Sequence, residues 1–230
     1  MPSRPSPHQP RKTPQQQRSW QTRQRILDAA ARVFADYGHA AGTTDRIAEA
    51  ARLSVGSVYQ YFPNKDSILL TLALAHVDES AATVRAALAA TATPPTLMHW
   101  LPATVAAYAD LHTRDPRLHK VLFEESPRPP ELLARFHQAE RDAADTVEQL
   151  LRQDPVLDLP EPARNARIVV AVIESLVHRY VSQQGDIDTQ QLTDEIVDLL
   201  VAYLHAAQHP RRRQPSTVDR PTGTPTDGLT

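Results

Sequence analysis

The chain has no cysteine, which excludes a disulfide framework, a thiolate metal site and a cysteine nucleophile. It has only six glycines, and they form no series, so no glycine-rich phosphate loop is present. No apolar run approaches the roughly 18 residues that a membrane span needs. The basic N-terminus lacks the apolar stretch of a secretory signal, so a cytoplasmic protein without membrane contact is expected. The histidines are scattered. His112, His119 and Glu124 are spaced seven and then five residues apart across Asp115-Pro116, which resembles no helical pair of metal ligands. Ser, His and Asp combine into no ordered series. We therefore expect no metal, no cofactor and no enzyme.

Lysine is also sparse: Lys12, Lys65 and Lys120 are the only three among 25 basic residues. Charge is unevenly spread. Residues 1–65 hold ten basic and four acidic side chains, a net +6, which leaves −8 for the rest of a chain whose total is −2. A basic front on an acidic body suits a polyanionic partner met by the front alone.

Between two proline-rich tails every strong pattern is helical. Residues 1–19 carry five prolines and residues 209–230 carry four, so both ends read as disordered, the first as a basic arm. Ile26, Ala30, Val33, Phe34 and Tyr37 recur on one helical face, with Ser19 as N-cap and Gly38 as C-cap. Thr43 caps a short helix to Ala51, and Asn64 caps a longer one from Lys65 to about Ala90. Further helices are expected at 96–113, 116–124, 129–153, 162–184 and 189–208, separated by Pro and Gly. The fold class is all-α: a three-helix unit at 20–65, then a larger bundle at 66–208.

Helix 43–51, the turn Arg52-Leu53 and helix 54–62 have the proportions of a helix-turn-helix. On a helical wheel Val58 and Phe62 point to a core. Gly56, Ser57 and Gln60 face the other way, with Val55 and Tyr59 on the flank. That face carries no charge, whereas a merely solvated face usually carries Glu, Lys or Arg. Small uncharged side chains at the start of a helix suit close approach to base edges in a major groove. The Tyr59 and Tyr61 hydroxyls, Lys65, and Thr43 and Thr44 at a helix N-terminus suit phosphates.

The segments RQRILDAAARVFADYG and TTDRIAEAARLSVGSVYQYFPNKDSIL, residues 23 to about 70, resemble the DNA-binding domain of the tetracycline-repressor (TetR) family of bacterial regulators. The resemblance implies that Thr43, Thr44, Arg46, Val55, Gly56, Ser57, Tyr59, Gln60, Tyr61 and Lys65 form the face toward double-stranded DNA. The chain departs from the family pattern at Arg52, where a glycine is usual, so that either Arg52 takes a left-handed conformation or the turn differs, and at Val55, often a basic or polar residue. The resemblance also implies a helical effector-binding bundle whose last two helices dimerise.

Those helices, 162–184 and 189–208, are apolar over more than one face. We expect Ile173, Leu176, Val177, Tyr180, Ile196, Leu200, Tyr203 and Leu204 to form the interface of a homodimer, which would set two recognition helices about 34 Å apart on a palindromic operator. Trp100, Tyr108, His112, Phe123, Phe136, His137, Glu174 and His178 are candidates to line a cavity for a small apolar effector. The expected function is a ligand-responsive repressor. The alternative is a DNA-bound protein whose body takes a protein partner, which a bundle without a cavity would favour.

Overall fold

The computed structural model describes residues 17–91, 96–182 and 188–208, and every regular element within them is helical. The expected disordered tails lie outside these residues, except that Gln17–Ser19 belong to the first helix. Helix α1 spans Gln17–Ala41, so Ser19 lies inside it rather than at its cap. Gly38, at φ 71° and ψ 175°, breaks the helix, a left-handed backbone that glycine adopts without a Cβ penalty.

The second and third helices begin on side-chain caps. Thr43 Oγ1 accepts from the Arg46 N–H at 3.3 Å, starting α2 (Thr44–Ala51). Ser54 Oγ accepts from the Ser57 N–H at 3.1 Å, starting α3 (Val55–Tyr61). Arg52 ends α2 in the left-handed region, at φ 53° and ψ 49°, and its N–H returns to the Ala48 and Glu49 carbonyls. A non-glycine residue there costs about 1–2 kcal/mol. The Arg25 guanidinium helps to hold the turn by donating to the Ala51 carbonyl at 2.7 Å.

Asn64 caps the long helix α4 (Lys65–Ala89), which runs from the three-helix unit into the bundle. By length and composition alone α4 is long and apolar enough to cross a membrane. Its apolar residues are used inside the protein: Ile68, Leu69, Leu70 and Ala73 complete the core of α1–α3, and Leu88 packs on the bundle core.

The bundle comprises α5 (Leu97–Thr113), α6 (Pro116–Lys120) continued by a π-helical turn (Val121–Glu125), α7 (Pro130–Gln153), α8 (Pro162–Ser182) and α9 (Thr189–Ala207). Thr96 makes no side-chain cap on α5. Buried Asp154, from the end of α7, supplies it: one carboxylate oxygen accepts from the Leu97 N–H at 2.6 Å and the other from the Val156 N–H at 2.8 Å. Trp100, Leu101 and Val105 of α5 meet Val169, Val177 and Val181 of α8 and Ile196, Leu200 and Leu204 of α9 in the second core.

That packing corrects part of the dimer expectation. Val177, Ile196, Leu200 and Leu204 are at most 1% exposed within the single chain, so they are not available to a second copy. The apolar excess is taken up within the chain, on α8 largely by α7 and on α9 largely by α5. What faces outward is smaller: Tyr180 at 41% and Leu199 at 51% exposure, with half-buried Val172, Leu176 and Tyr203 nearby on the same two helices. Ile173 faces inward, onto the cavity described below. Tyr203 is also tied within the chain, accepting from Asn165 Nδ2 at 2.9 Å.

Candidate DNA-binding surface and effector cavity

The helix-turn-helix presents the uncharged face that the wheel implied. Val58 and Phe62 are fully buried, whereas Gly56, Tyr59 and Gln60 are exposed. A Cβ added at Gly56 would meet only Ser54 Oγ, at 3.9 Å, so the space beyond it is open. Ser57 Oγ pairs with Ser54 Oγ at 2.8 Å, which holds it beside the helix start. The Thr44 and Tyr59 hydroxyls are 3.2 Å apart, bridging α2 and α3 on the outer surface. Val55 is half-buried and packs on the core, so only part of its side chain is offered outward. Arg46 is exposed, with its guanidinium 4.1 Å over the Tyr37 ring.

Two residues assigned to DNA are used inward instead. Tyr61 is only 9% exposed, and its hydroxyl accepts from Ser19 Oγ at 3.3 Å. Lys65 is half-buried and donates to the His39 and Ala40 carbonyls, past the Gly38 break. A helix end carries unpaired carbonyls and partial negative charge, which draws the ammonium there. Next to it, His39 Nε2 lies 2.8 Å from Asp66 Oδ1.

In the bundle, a cavity of about 250 Å³ lies between α4, α5, α7 and α8, near the lower end of the range for small-molecule pockets. Trp100, Tyr108, His112, Phe123, Phe136, Glu174 and His178 line it, with Val77, Val84, Leu88, Val147, Leu150, Val170 and Ile173. Arg85 and Arg135 supply positive charge to the lining, Arg135 paired with Asp78. His137 is not part of it: this side chain is on the exposed face of α7.

Several buried groups of the cavity are shifted toward their neutral forms. Burial, and then the Glu140 charge, push the Glu174 carboxyl up to about 7. Burial lowers His112 to about 4, against the opposing pull of its hydrogen bond to the Tyr108 carbonyl. Burial also raises the Tyr108 hydroxyl well above its usual value, with Glu174 and Glu140 adding to the effect. The indole N–H of Trp100 is buried without a partner, an unmet donor in the cavity wall. Glu174 and His178, four apart on α8, do not pair. His178 Nε2 lies 3.1 Å from the Tyr108 hydroxyl, and its Nδ1 lies 3.2 Å from His119 Nε2.

Sequence spacing missed a histidine cluster behind this wall. One ring nitrogen each from His76, His112 and His119 lies within 4.8 Å of the others. Glu124, the third member of the triple weighed from the sequence, is exposed and does not join them. The three rings come from α4, α5 and α6, a convergence that no local spacing encodes.

The α6 segment and its π-helical turn stand between the two regions. His119 and Phe123 reach the cluster and the cavity, while Val121 and Leu122 belong to the core shared with α1. Glu125 Oε2 accepts from the His39 N–H at 2.8 Å, beside Gly38, where an added Cβ would come within 3.0 Å of that oxygen.

A helix-turn-helix at one end and a lined cavity in a helical body define a DNA-binding transcriptional regulator with a ligand-type domain. Two family models match the chain: "Bacterial regulatory proteins, tetR family" over residues 26–72 and "Tetracyclin repressor-like, C-terminal domain" over 96–204. The protein belongs to the TetR family of transcriptional regulators and is not an enzyme. It is 28% identical over 176 residues to the HTH-type transcriptional activator FasR of Mycolicibacterium smegmatis, spanning 76% of this chain and 79% of that one. It is 36% identical over 63 residues to the HTH-type transcriptional repressor AcnR of Corynebacterium efficiens, which covers 27% of this chain and 34% of that protein. Its fold matches the crystal structure of FadR from Bacillus subtilis in complex with stearoyl-CoA, with a TM-score of 0.61 at 21% identity, over 78% of this chain and 97% of that one.

Proposed function

We propose that this regulator acts in the cytoplasm as a homodimer on a palindromic operator and that a small apolar effector releases it. The observation that carries the effector reading is the apolar cavity with an unmet Trp100 N–H in its wall. A body built only to dock another protein has no need of it. Arg85 and Arg135 suit an anionic end on such a ligand. The FadR neighbour holds stearoyl-CoA. Together these favour the fatty-acyl class, either as a free acid or as a thioester.

On the DNA side, α3 lies in the major groove with Gly56, Ser57 and Gln60 toward base edges. Thr43, Thr44 and Tyr59 engage phosphate, with Arg46 beside them. The outward residues of α8 and α9, including Tyr180, Leu176, Leu199 and Tyr203, form the contact between copies. Ligand in the cavity presses on Phe123, which stacks on His119, and the π-helical turn carries that displacement to α1 through Leu122 and Glu125. The spacing of the two recognition helices then leaves the groove period. The ligand shifts the equilibrium only by its differential affinity for the two arrangements.

The test is selection of bound DNA from random sequence, followed by operator binding with fatty acids and acyl-CoAs of graded chain length. A two-fold-symmetric site and release by one length class are expected. Binding of DNA unchanged by every acyl ligand, with a protein partner instead altering it, would overturn the effector reading and leave the DNA reading intact.

A further inference from the structure

Of His76, His112 and His119 only His112 lines the cavity and none belongs to the DNA face, yet each has a buried ring nitrogen with no hydrogen-bond partner: His76 Nε2, His112 Nε2 and His119 Nδ1. A buried polar atom without a partner is unfavourable, and three in one cluster need an explanation. We propose that these histidines, from α4, α5 and α6, form a site for a divalent transition metal ion of the zinc class, a ligand distinct from the acyl effector.

The hydrogen bonds around the rings fix the nitrogens that such a site requires. His112 Nδ1 lies 2.7 Å from the Tyr108 carbonyl, which can only accept, so Nδ1 carries the proton and Nε2 keeps its lone pair. With His119 ligating through Nδ1, its Nε2–H donates to His178 Nδ1 at 3.2 Å. His178 then donates from Nε2 to the Tyr108 hydroxyl oxygen at 3.1 Å. Outer partners of this kind orient the rings of metal-bound histidines.

The dimensions are close to those of a three-histidine site. Ligand nitrogens about 2.0–2.1 Å from a tetrahedral zinc ion lie roughly 3.3 Å apart, so a spacing within 4.8 Å closes by modest ring rotation. The ring centroids of His112 lie 4.8 Å from His76 and 5.2 Å from His119. An all-imidazole donor set suits Zn²⁺, Co²⁺, Ni²⁺ or Cu²⁺ rather than Mg²⁺ or Ca²⁺. Three protein ligands leave a fourth position for water or a further ligand. An ion here would fasten α6 to α4 and α5, and so would set the π-helical turn that reaches α1.

The experiment uses the full chain stripped with chelator and titrated with Co²⁺ and then Zn²⁺. We read visible d–d absorption, metal per chain by elemental analysis, and melting temperature. The expected result is one tight ion per chain, tetrahedral Co²⁺ bands displaced by Zn²⁺, and a melting temperature raised by metal. His112→Gln and His119→Gln should each weaken binding by more than the roughly 10–100-fold that losing an outer partner costs. His137→Gln, on the exposed face of α7, should change nothing. Circular dichroism in chelator confirms that each variant is folded. If one variant does not fold, the other decides. No stoichiometric Co²⁺ binding, or binding that survives in a folded His112→Gln or His119→Gln protein, would overturn the proposal.

Discussion

The two working regions of this regulator are built in opposite ways. The DNA face comes from one continuous stretch, Thr43 to Gln60, and its side chains largely meet partners within that stretch: Thr43 with Arg46, Ser54 with Ser57, Thr44 with Tyr59. The interior of the bundle is assembled from separate helices, α4 to α8, and it keeps buried polar atoms without partners at Trp100, His76, His112 and His119. A surface that meets water and then DNA can leave its groups solvated. An interior can leave groups unmet only at a cost, and the sites where it does so are those reserved for a ligand.

The largest expected effect sharpens the interior side of this contrast. The Glu174 carboxyl titrates at about 7 in the folded chain against its usual 4.5, chiefly because it is buried. A raised carboxyl favours the folded state fully below 4.5, and the advantage is lost as pH rises through 7. Above pH 7 the folded chain therefore carries a buried charge that the glutamine variant lacks. Glu174→Gln should stabilise the metal-free protein by about 3 kcal/mol at pH 8, at roughly 1.4 kcal/mol per pH unit between the two values, and by almost nothing at pH 4. Denaturant melts at the two pH values check it. An equal gain at both would mean that packing, not charge, sets the cost.

A smaller effect tests the boundary between the regions. Lys65 donates to the His39 and Ala40 carbonyls, so its loss should act on the fold. Lys65→Met is expected to cost about 1.5–3 kcal/mol of stability, the range for hydrogen bonds that involve a charged group, and to leave the salt slope of operator binding unchanged. A slope lower by about one, with the melting temperature preserved, would place this ammonium on a phosphate.

What the sequence disclosed follows the same division. Helix starts are local events, because a cap needs only a side chain and an amide three residues on, so Thr43 and Asn64 were legible. The missing glycine in the turn left two readings, a left-handed Arg52 or a different turn, and the backbone takes the first. The inward use of Tyr61 was not legible, because Ser19 lies 42 residues away from it. Nor were the histidine cluster or the true extent of the α8–α9 surface. A wheel shows that a face is apolar, but not which helix covers it, and here α7 covers most of α8 and α5 most of α9.

Gly56 gives the finest test of the DNA side, because fold and function should move in opposite directions there. A Cβ at this position meets only Ser54 Oγ, at 3.9 Å, and its φ requires no glycine, so alanine fits the folded chain. Replacing glycine within a helix stabilises by roughly 0.5–1 kcal/mol. The same methyl projects from the exposed start of α3, where a base edge must come close. Gly56→Ala should therefore melt slightly higher than the parent and bind operator about tenfold more weakly, a loss of roughly 1.4 kcal/mol. Thermal melting and fluorescence anisotropy on one preparation measure both. A variant that melts higher and binds as before would move the closest approach to DNA away from Gly56, toward Gln60 and the next turn of α3. A variant that melts lower would show that glycine is there for the turn and not for the groove.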